Sequence, residues 1–368
     1  MPDEDAKDAV TAVAAEERAE ALARVRSILS DLGCSDDEID RAISDDVVDL
    51  LMVDRLLVPT GRNLTQAEVA EITGFPVDLV HRFWRALGFL DLAEDEPALG
   101  EMDIEAVRLF QAMVAMGLAD TDVAVQTARV IGISMSRIAA AQAGPGTTPI
   151  LGPTGDSVLD ADQFARQADA SLPAMARLLE YVWRRHLQAA TRRAMLRRSR
   201  GDREGRRAQL CVGFADMVGF TLLSQHLGDD ELASVVARFE ELAHDTVVAR
   251  GGTVVKMIGD EVMFVVSSAT DAADIGLSLA EAYAGDELVS DVRVALAVGP
   301  VLELDGDYYG PVVNLAGRVV NVARPGTVVV SDEFRTQLFH EDGRQFTTRP
   351  LRVRTLKDIG RVQLWKLV

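Results

Sequence analysis

Residues 214–221 of the chain read Phe214-Ala215-Asp216-Met217-Val218-Gly219-Phe220-Thr221. The apolar residues that lead into it predict a strand that ends at Asp216, and the glycine after it indicates a turn. A second stretch, Lys256-Met257-Ile258-Gly259-Asp260-Glu261, lies between two apolar runs and predicts a hairpin with Asp260 at its tip. Both aspartates therefore stand at strand ends, where two carboxylates could hold hard divalent cations.

The residues around these stretches predict alternating strands and helices. Apolar residues recur at helical spacing in three segments, which we expect to be helices: 230–251, 271–283 and 312–323. Strands are expected at 292–298, at 327–331 and through most of 346–368. This order of elements predicts a mixed sheet with helices packed on it, which is an α+β domain.

The N-terminal half has helical periodicity almost throughout. From Glu16 the apolar residues recur three and four apart until Gly33, which predicts the end of a helix, while residues 1–15 are expected to fray. Ser35 followed by Glu38 is the pattern of a capping box at the start of a second helix. These features predict an all-α N-terminal domain.

Residues 62–90 predict a helix-turn-helix-like unit, because two helical patterns flank the turn Thr73-Gly74-Phe75. This unit resembles the helical part of MerR-type transcription regulators. One interpretation is DNA binding through four polar residues that would face a groove: Asp78, His81, Arg82 and Arg85. The other is a packing unit reused inside a regulatory domain. The acidic flanks favour the second interpretation, because they would repel phosphates.

Two further segments divide the chain. The Gly- and Pro-rich residues 143–156 predict a loop. A strongly basic run at 184–207 predicts a linker helix with a hinge at Gly201 and Gly205. The run could bind a polyanion, but a helix whose arginines meet acidic protein surfaces is the favoured interpretation. We therefore expect three parts: a helical domain at 1–183, a linker helix at 184–207 and the α+β domain at 208–368.

Composition excludes several classes of protein. The chain has 368 residues, 48% of them hydrophobic and 26% charged, which is typical of a globular protein with two domains or more. Its net charge of -20 disfavours non-specific binding to nucleic acid or anionic lipid. The acidic N-terminus is unlike a signal peptide, and no uncharged apolar stretch reaches about 18 residues. With Cys34 and Cys211 expected to be reduced, the composition predicts a cytoplasmic protein without a membrane segment.

Four more residues could complete a site for phosphoryl chemistry. Asn314 and Arg318 are four apart in a predicted helix and so share one face. An amide beside a planar guanidinium suits the charge that builds on a phosphoryl group. Lys256 precedes the hairpin tip and Asp307 precedes an aromatic-glycine turn, so this pair could offer a donor and an acceptor to the edge of a base.

Three motifs in this order, at 214–221, 256–260 and 307–318, resemble those of the class III nucleotidyl cyclases. The resemblance implies a ferredoxin-like, palm-type catalytic domain that converts ATP to 3',5'-cyclic AMP and pyrophosphate. It implies that two Mg²⁺ or Mn²⁺ ions are bound by Asp216, Asp260 and the main-chain carbonyl of Met217. It also implies adenine selection by Lys256 and Asp307, and stabilisation of the transition state by Asn314 and Arg318.

The resemblance further implies that each site combines residues of two chains, so we expect a homodimer with two equivalent sites. Gly317 departs from the Ser or Ala that is usual in the family. The residue that binds the triphosphate is not fixed by the pattern, and Lys357 and Arg361 are candidates.

The whole layout is similar to mycobacterial cyclases whose helical N-terminal half is autoinhibitory and responds to pH. This chain has only His81 and His186 in that half, so a small apolar ligand is an alternative signal. Two other functions stay open at this point. One is a DNA-binding regulator whose cyclase-like half is an inactive sensor, and the other is a nucleotide-binding scaffold without turnover.

Overall fold

A computed structural model of the chain describes residues 4–58, 63–93, 95–117, 120–143, 155–199, 207–341 and 343–368. The chain divides into two compact units, Met1–Arg193 and Ala194–Val368, and each is described by itself. The predicted loop at 143–156 lies almost wholly outside the described residues, and so does the predicted hinge at Gly201 and Gly205. No helix within the described ranges is long and apolar enough to cross a membrane.

The N-terminal unit is built from helices, as predicted. Their bounds are α1 Glu4–Asp31, α2 Asp36–Ser44, α3 Val48–Leu57, α4 Gln66–Thr73, α5 Val77–Ala86, α6 Glu101–Ala115, α7 Thr121–Ala143 and α8 Ser157–Ser199. The expectation that residues 1–15 fray is wrong for residues 4–15, which belong to α1. Their five alanines have high helix propensity, which explains the earlier start. The described part of the predicted linker, 184–199, continues α8 without a break.

Two apolar cores stabilise this unit. The first joins α1, α2, α3 and the start of α8 around Leu29, Met52 and Val158. Beside it, the Arg24 guanidinium donates to the buried carboxylate of Asp162 at 2.9 and 3.0 Å, and these hydrogen bonds hold the pKa of Asp162 below its usual value. The second core joins α4, α5, α6 and α7 around buried side chains that include Val80, Phe83, Phe110 and Ala128.

The predicted capping box at Ser35 is only half formed. The Ser35 hydroxyl accepts from the amide of Glu38 at 3.3 Å, but the Glu38 carboxylate instead accepts from Arg55 at 2.7 Å. A complete box occurs at the start of α4, where the Thr65 and Glu68 side chains each accept from the other residue's amide, at 3.2 and 2.8 Å. The Glu38 carboxylate, which local sequence predicted to cap α2, therefore forms an ion pair with Arg55 of α3 instead.

Within the predicted helix-turn-helix-like unit, α4 and α5 are joined at Gly74, whose φ of 65° suits glycine. The two arginines proposed to face DNA are held by acidic neighbours. Arg82 pairs with Asp122 at 2.7 Å, and Arg85 donates to Asp91 at 2.6 Å. These contacts neutralise the two guanidinium groups, which favours the packing unit over DNA binding.

The C-terminal unit is an α+β domain, also as predicted. Its elements are β1 Arg207–Met217, α9 Phe220–Leu223, α10 Asp229–Ala249, β2 Thr253–Ile258, β3 Glu261–Val266, α11 Ala269–Ala284, β4 Val292–Leu304, β5 Asp307–Tyr309, α12 Pro311–Val320, β6 Thr327–Ser331, α13 Asp332–His340, β7 Thr348–Pro350, β8 Arg354–Leu356, β9 Gly360–Val362 and β10 Leu364–Leu367. The sheet order is β2-β3-β1-β4-β6-β10-β7, with β5 paired to β4 and a separate β8-β9 hairpin. The sheet is mixed, because β4 and β6 run parallel while their neighbours pair antiparallel.

Helices cover both faces of this sheet. One face packs against α10, α11 and α13 through a core that includes Phe239, Phe264 and Phe334. The other face packs against α12 through a core that includes Phe214. Since side chains alternate between the faces of a strand, Asp216 projects to the same face as Phe214, two residues earlier in β1. The strand therefore presents this carboxylate on the α12 side of the sheet.

Gly213 of β1 lies opposite Phe264 of β3, and an added Cβ would stand 2.1 Å from the phenyl ring. We expect Gly213→Ala to lower the free energy of unfolding by about 1–3 kcal/mol, since overpacking forces a buried ring to move. Gly317→Ala is the matched control, because its Cβ would lie 3.8 Å from Phe214, an ordinary contact. Alanine in a helix is favoured over glycine by about 1 kcal/mol, so this control should gain stability. Urea unfolding measures both, and equal losses would contradict the packing explanation.

Candidate active site

Asp216 and Asp260 lie at neighbouring strand ends. Antiparallel pairing of β1 with β3 sets Asp216 opposite Glu261, the residue that follows Asp260. The amide of Met217 donates to the carbonyl of Asp260 at 2.8 Å. The hairpin tip turns at Gly259, whose φ of 62° lies in the left-handed region. Backbone pairing thus brings the two candidate metal-binding carboxylates to one edge of the sheet.

This edge carries more negative than positive charge. Burial raises the pKa of Asp216, and the Asp260 charge adds to the rise, while the hydrogen bond and charge of Arg293 oppose it. Burial, followed by the charges of Asp216 and Asp260, raises the pKa of Glu261 to about 7. Crowded carboxylates of this kind favour either a proton or a bound cation. A divalent cation at Asp216 and Asp260 would relieve the repulsion.

Arg293 and Glu261 belong to this group although the sequence motifs did not assign them to the site. Arg293 lies opposite Asp216 in the pairing of β1 with β4 and forms an ion pair with it. Its Nε is buried and has no hydrogen-bond partner among the described residues. A polar residue within the apolar run of β4 was the only signal in the sequence, and it did not reveal its partner.

The oxygen donors fit a magnesium-type ion. Two carboxylates and the main-chain carbonyl of Met217 are hard ligands, and such ions keep other positions for water or phosphate. Within the described ranges, no group of three or more His, Cys, Asp or Glu side chains is arranged to hold a metal ion by itself.

Lys256 and Asp307 come together as a pair. The Nζ of Lys256 donates to Oδ2 of Asp307 at 2.6 Å, and both side chains are about one-third exposed or less. The other carboxylate oxygen of Asp307 accepts from the amide of Tyr308 at 2.7 Å. Lys256 lies on β2 and Asp307 begins β5, so two distant segments place a donor beside an acceptor.

Asn314 and Arg318 share a face of α12, one turn apart. They line a cleft of about 390 Å³ together with Phe214, Gly317 and Lys357, whereas Arg361 is not among its lining residues. Arg318 stands 3.8 Å from Asp358, but both side chains are at least half exposed, so this ion pair is weak. In the part of the chain that the structure describes, no hydrogen bond or ion pair joins Asn314 or Arg318 to Asp216 or Asp260.

Two family models match adjoining parts of the chain. Residues 2–191 match the adenylate cyclase regulatory domain, and residues 204–365 match the adenylate and guanylate cyclase catalytic domain. The chain belongs to the class III adenylate cyclases. The catalytic match contains the two carboxylate-bearing strand ends, the Lys256-Asp307 pair and the α12 cleft.

Relatives of this cyclase match most of its length. An adenylate cyclase of Streptomyces coelicolor is 36% identical over 288 residues, which cover 78% of this chain and 75% of that protein. A pH-sensitive adenylate cyclase of Mycobacterium tuberculosis is 31% identical over 329 residues, which cover 86% and 81%. The crystal structure of the adenylyl cyclase CyaB from P. aeruginosa is 23% identical, with a TM-score of 0.39, and covers 44% of this chain and 94% of that one.

Proposed function

We propose that this cyclase converts ATP to 3',5'-cyclic AMP and pyrophosphate, at sites shared between two copies of the chain. The observation that carries the proposal is the junction of Asp216 with Asp260 at one sheet edge, beside a half-buried arginine. The names of the relatives support the choice of adenylate. The lack of a direct contact between this edge and Asn314 or Arg318 in the described chain supports a site completed by a second copy.

In this proposal Asp216, Asp260 and the carbonyl of Met217 hold two Mg²⁺ or Mn²⁺ ions. Such ions stabilise the attacking and leaving oxygens of an in-line displacement. The 3'-oxygen of the ribose forms a bond to the α-phosphorus and gives its proton to solvent water, while the bond from the α-phosphorus to the pyrophosphate leaving group breaks. The unpartnered Nε of Arg293 can donate to a phosphate oxygen at this edge.

The residues on α12 act on the charge that develops during the displacement. Arg318 offers a planar guanidinium and Asn314 an amide, and both can donate to oxygens of the α-phosphate. Lys357, which lines the same cleft, can meet the terminal phosphates. We favour it over Arg361 for the triphosphate because Arg361 does not line that cleft.

Adenine recognition falls to Lys256 and Asp307. In the free chain they bond to each other, so a base must replace that bond with two of its own. Adenine can do so, because its exocyclic amino group donates to a carboxylate and a ring nitrogen accepts from an ammonium. A guanine edge presents a carbonyl where adenine presents the amino group, and would leave Asp307 facing an acceptor.

We expect Asp307→Ala to lower kcat/KM for ATP by about 10- to 100-fold, since a hydrogen-bonding site loses discrimination when one partner is removed. The kcat/KM for GTP should change far less, so the ratio of the ATP value to the GTP value should decrease. Initial rates with both nucleotides measure this. Asp274→Ala, at an exposed position of α11, is the control and should leave both values unchanged. Equal losses for ATP and GTP would contradict a role in base selection.

The activity itself is tested by incubating the purified full chain with ATP or GTP and Mn²⁺, followed by chromatography of the products. Cyclic AMP from ATP is the expected result. Binding of ATP without any cyclic product would contradict the proposal and favour a nucleotide-binding scaffold. Cyclic GMP as the main product would contradict the assignment of the substrate.

We further propose that the helical N-terminal unit restrains the catalytic unit, in line with its match to the regulatory family model. A chain that begins at Arg207, the first residue of β1, should then have a higher specific activity than the full chain at a matched dimer fraction. Equal activity would contradict autoinhibition. Rates of the full chain across pH, and with added small apolar ligands, separate the two candidate signals.

A further inference from the structure

A second cleft lies on the same sheet face as α12 and shares no lining residue with the first. Its volume is about 610 Å³, within the range of small-molecule sites. The sheet contributes Val329, Leu364 and Lys366 to its lining. Residues 322–324, which follow α12, and residues 350–354, which lead from β7 into β8, contribute most of the rest.

The cleft has an unusual charge for this protein. Four of its lining residues are basic, and none is acidic: Arg324, Arg352, Arg354 and Lys366. The chain as a whole carries 58 acidic and 38 basic residues, so a cleft lined by four basic residues and no acidic one contrasts with the overall charge of the chain. Within the described residues, none of the four side chains is engaged in an ion pair, and three of the four residues are exposed.

Other arginines of the same unit do find acidic partners. Arg238 pairs with both Glu241 and Asp286, and Arg293 pairs with Asp216. The absence of such a partner at the second cleft leaves about four positive charges around one concave surface. This charge attracts anions, and the attraction between exposed groups weakens as salt is added.

The lining also indicates what kind of anion fits. Guanidinium groups bind phosphate oxygens through two parallel hydrogen bonds, which favours phosphate over a simple halide. Val329, Leu351 and Leu364 give the cleft an apolar part that a phosphate alone would not contact. We propose that this cleft binds a small organic phosphate with two or more negative charges, whose apolar or planar part lies against these three residues. The site is separate from the proposed turnover of ATP.

The test measures the rate of chemical modification at individual arginines. The full chain is treated with phenylglyoxal in EDTA, with or without inorganic tripolyphosphate, and modified residues are mapped by mass spectrometry. Tripolyphosphate should slow modification of Arg324 and Arg352 by about five-fold or more, and high salt should remove the protection. Arg41 and Arg250, exposed on α2 and at the end of α10, are the controls and should react at the same rate throughout. No protection, or equal protection of all four arginines, would overturn the proposal.

Two further arms complete the experiment. In the Arg324→Gln variant, tripolyphosphate should protect Arg352 less than in the parent chain. In the Arg250→Gln variant, the protection of Arg352 should be unchanged. Identical protection of Arg352 in both variants would overturn a shared site. ATP should protect at a lower concentration than tripolyphosphate, because it adds a planar group, and the opposite order would overturn the role of the apolar residues. EDTA chelates the divalent ions that the proposed reaction needs, so these outcomes do not depend on whether cyclic AMP is formed.

Discussion

Replacing Asp260 with alanine is expected to lower cyclic AMP formation by about 10³-fold or more, because one of the two carboxylates proposed to hold the metal ions is lost. The hairpin itself should persist, since its turn depends on Gly259 and on backbone pairing with β3. Initial rates at saturating ATP and Mn²⁺ measure the effect. Asp260→Asn, which keeps the side-chain shape but removes the charge, should lose activity to a similar degree.

The matched control is Asp274→Ala, which removes one exposed carboxylate from α11 and should retain the parent rate. Circular dichroism and the thermal midpoint establish that each variant is folded. A chain with Asp260→Ala that keeps a tenth of the parent rate would contradict the metal-binding role of this residue.

The second large effect concerns the division of the site between two chains. Asp216→Ala and Arg318→Ala should each be nearly inactive alone, because they damage opposite halves of every site. When they are mixed in equal amounts and allowed to exchange, half of the dimers contain one copy of each. Each mixed dimer has one intact site and one doubly damaged site, so about a quarter of the parent activity should return.

A mixture of Asp216→Ala with Asp260→Ala is the control for this experiment. Both substitutions damage the same half, so no combination of chains restores a site and no activity should return. If the first mixture also stays inactive while mixed dimers are present, the residues must act within one chain.

Local signals predicted much of the catalytic unit. The β2-β3 hairpin and the limits of α10 follow from turn glycines and helical spacing, which depend on neighbouring residues alone. The extension of β4 through Pro300 to Leu304 was not predicted, because a proline usually interrupts a strand. Pairing with β1, which continues to Arg207 opposite Leu302, provides the strand partner that local sequence does not show.

The candidate site also combines residues that local motifs identify with a residue that only long-range strand pairing reveals. Lys256 and Asp307 were assigned as a donor and an acceptor from their motifs, and the structure places them in contact. Arg293 was missed because its partner, Asp216, lies 77 residues away and becomes evident only from the strand register. Long-range pairing also redirected Glu38 from its expected cap to Arg55. Sequence motifs therefore identified the candidate site residues, whose roles stay predictions, and tertiary pairing added Arg293 as the partner of Asp216.

Because Lys256 and Asp307 are in contact within one chain, nucleoside binding and product formation should respond differently to dilution of the enzyme. A monomer already contains both groups proposed to recognise the base, so it should bind adenosine without a partner. Product formation at the proposed shared site, in contrast, requires two chains to meet. Below the dissociation constant of the dimer, the rate of product formation should rise with the square of protein concentration, while nucleoside binding per chain stays constant.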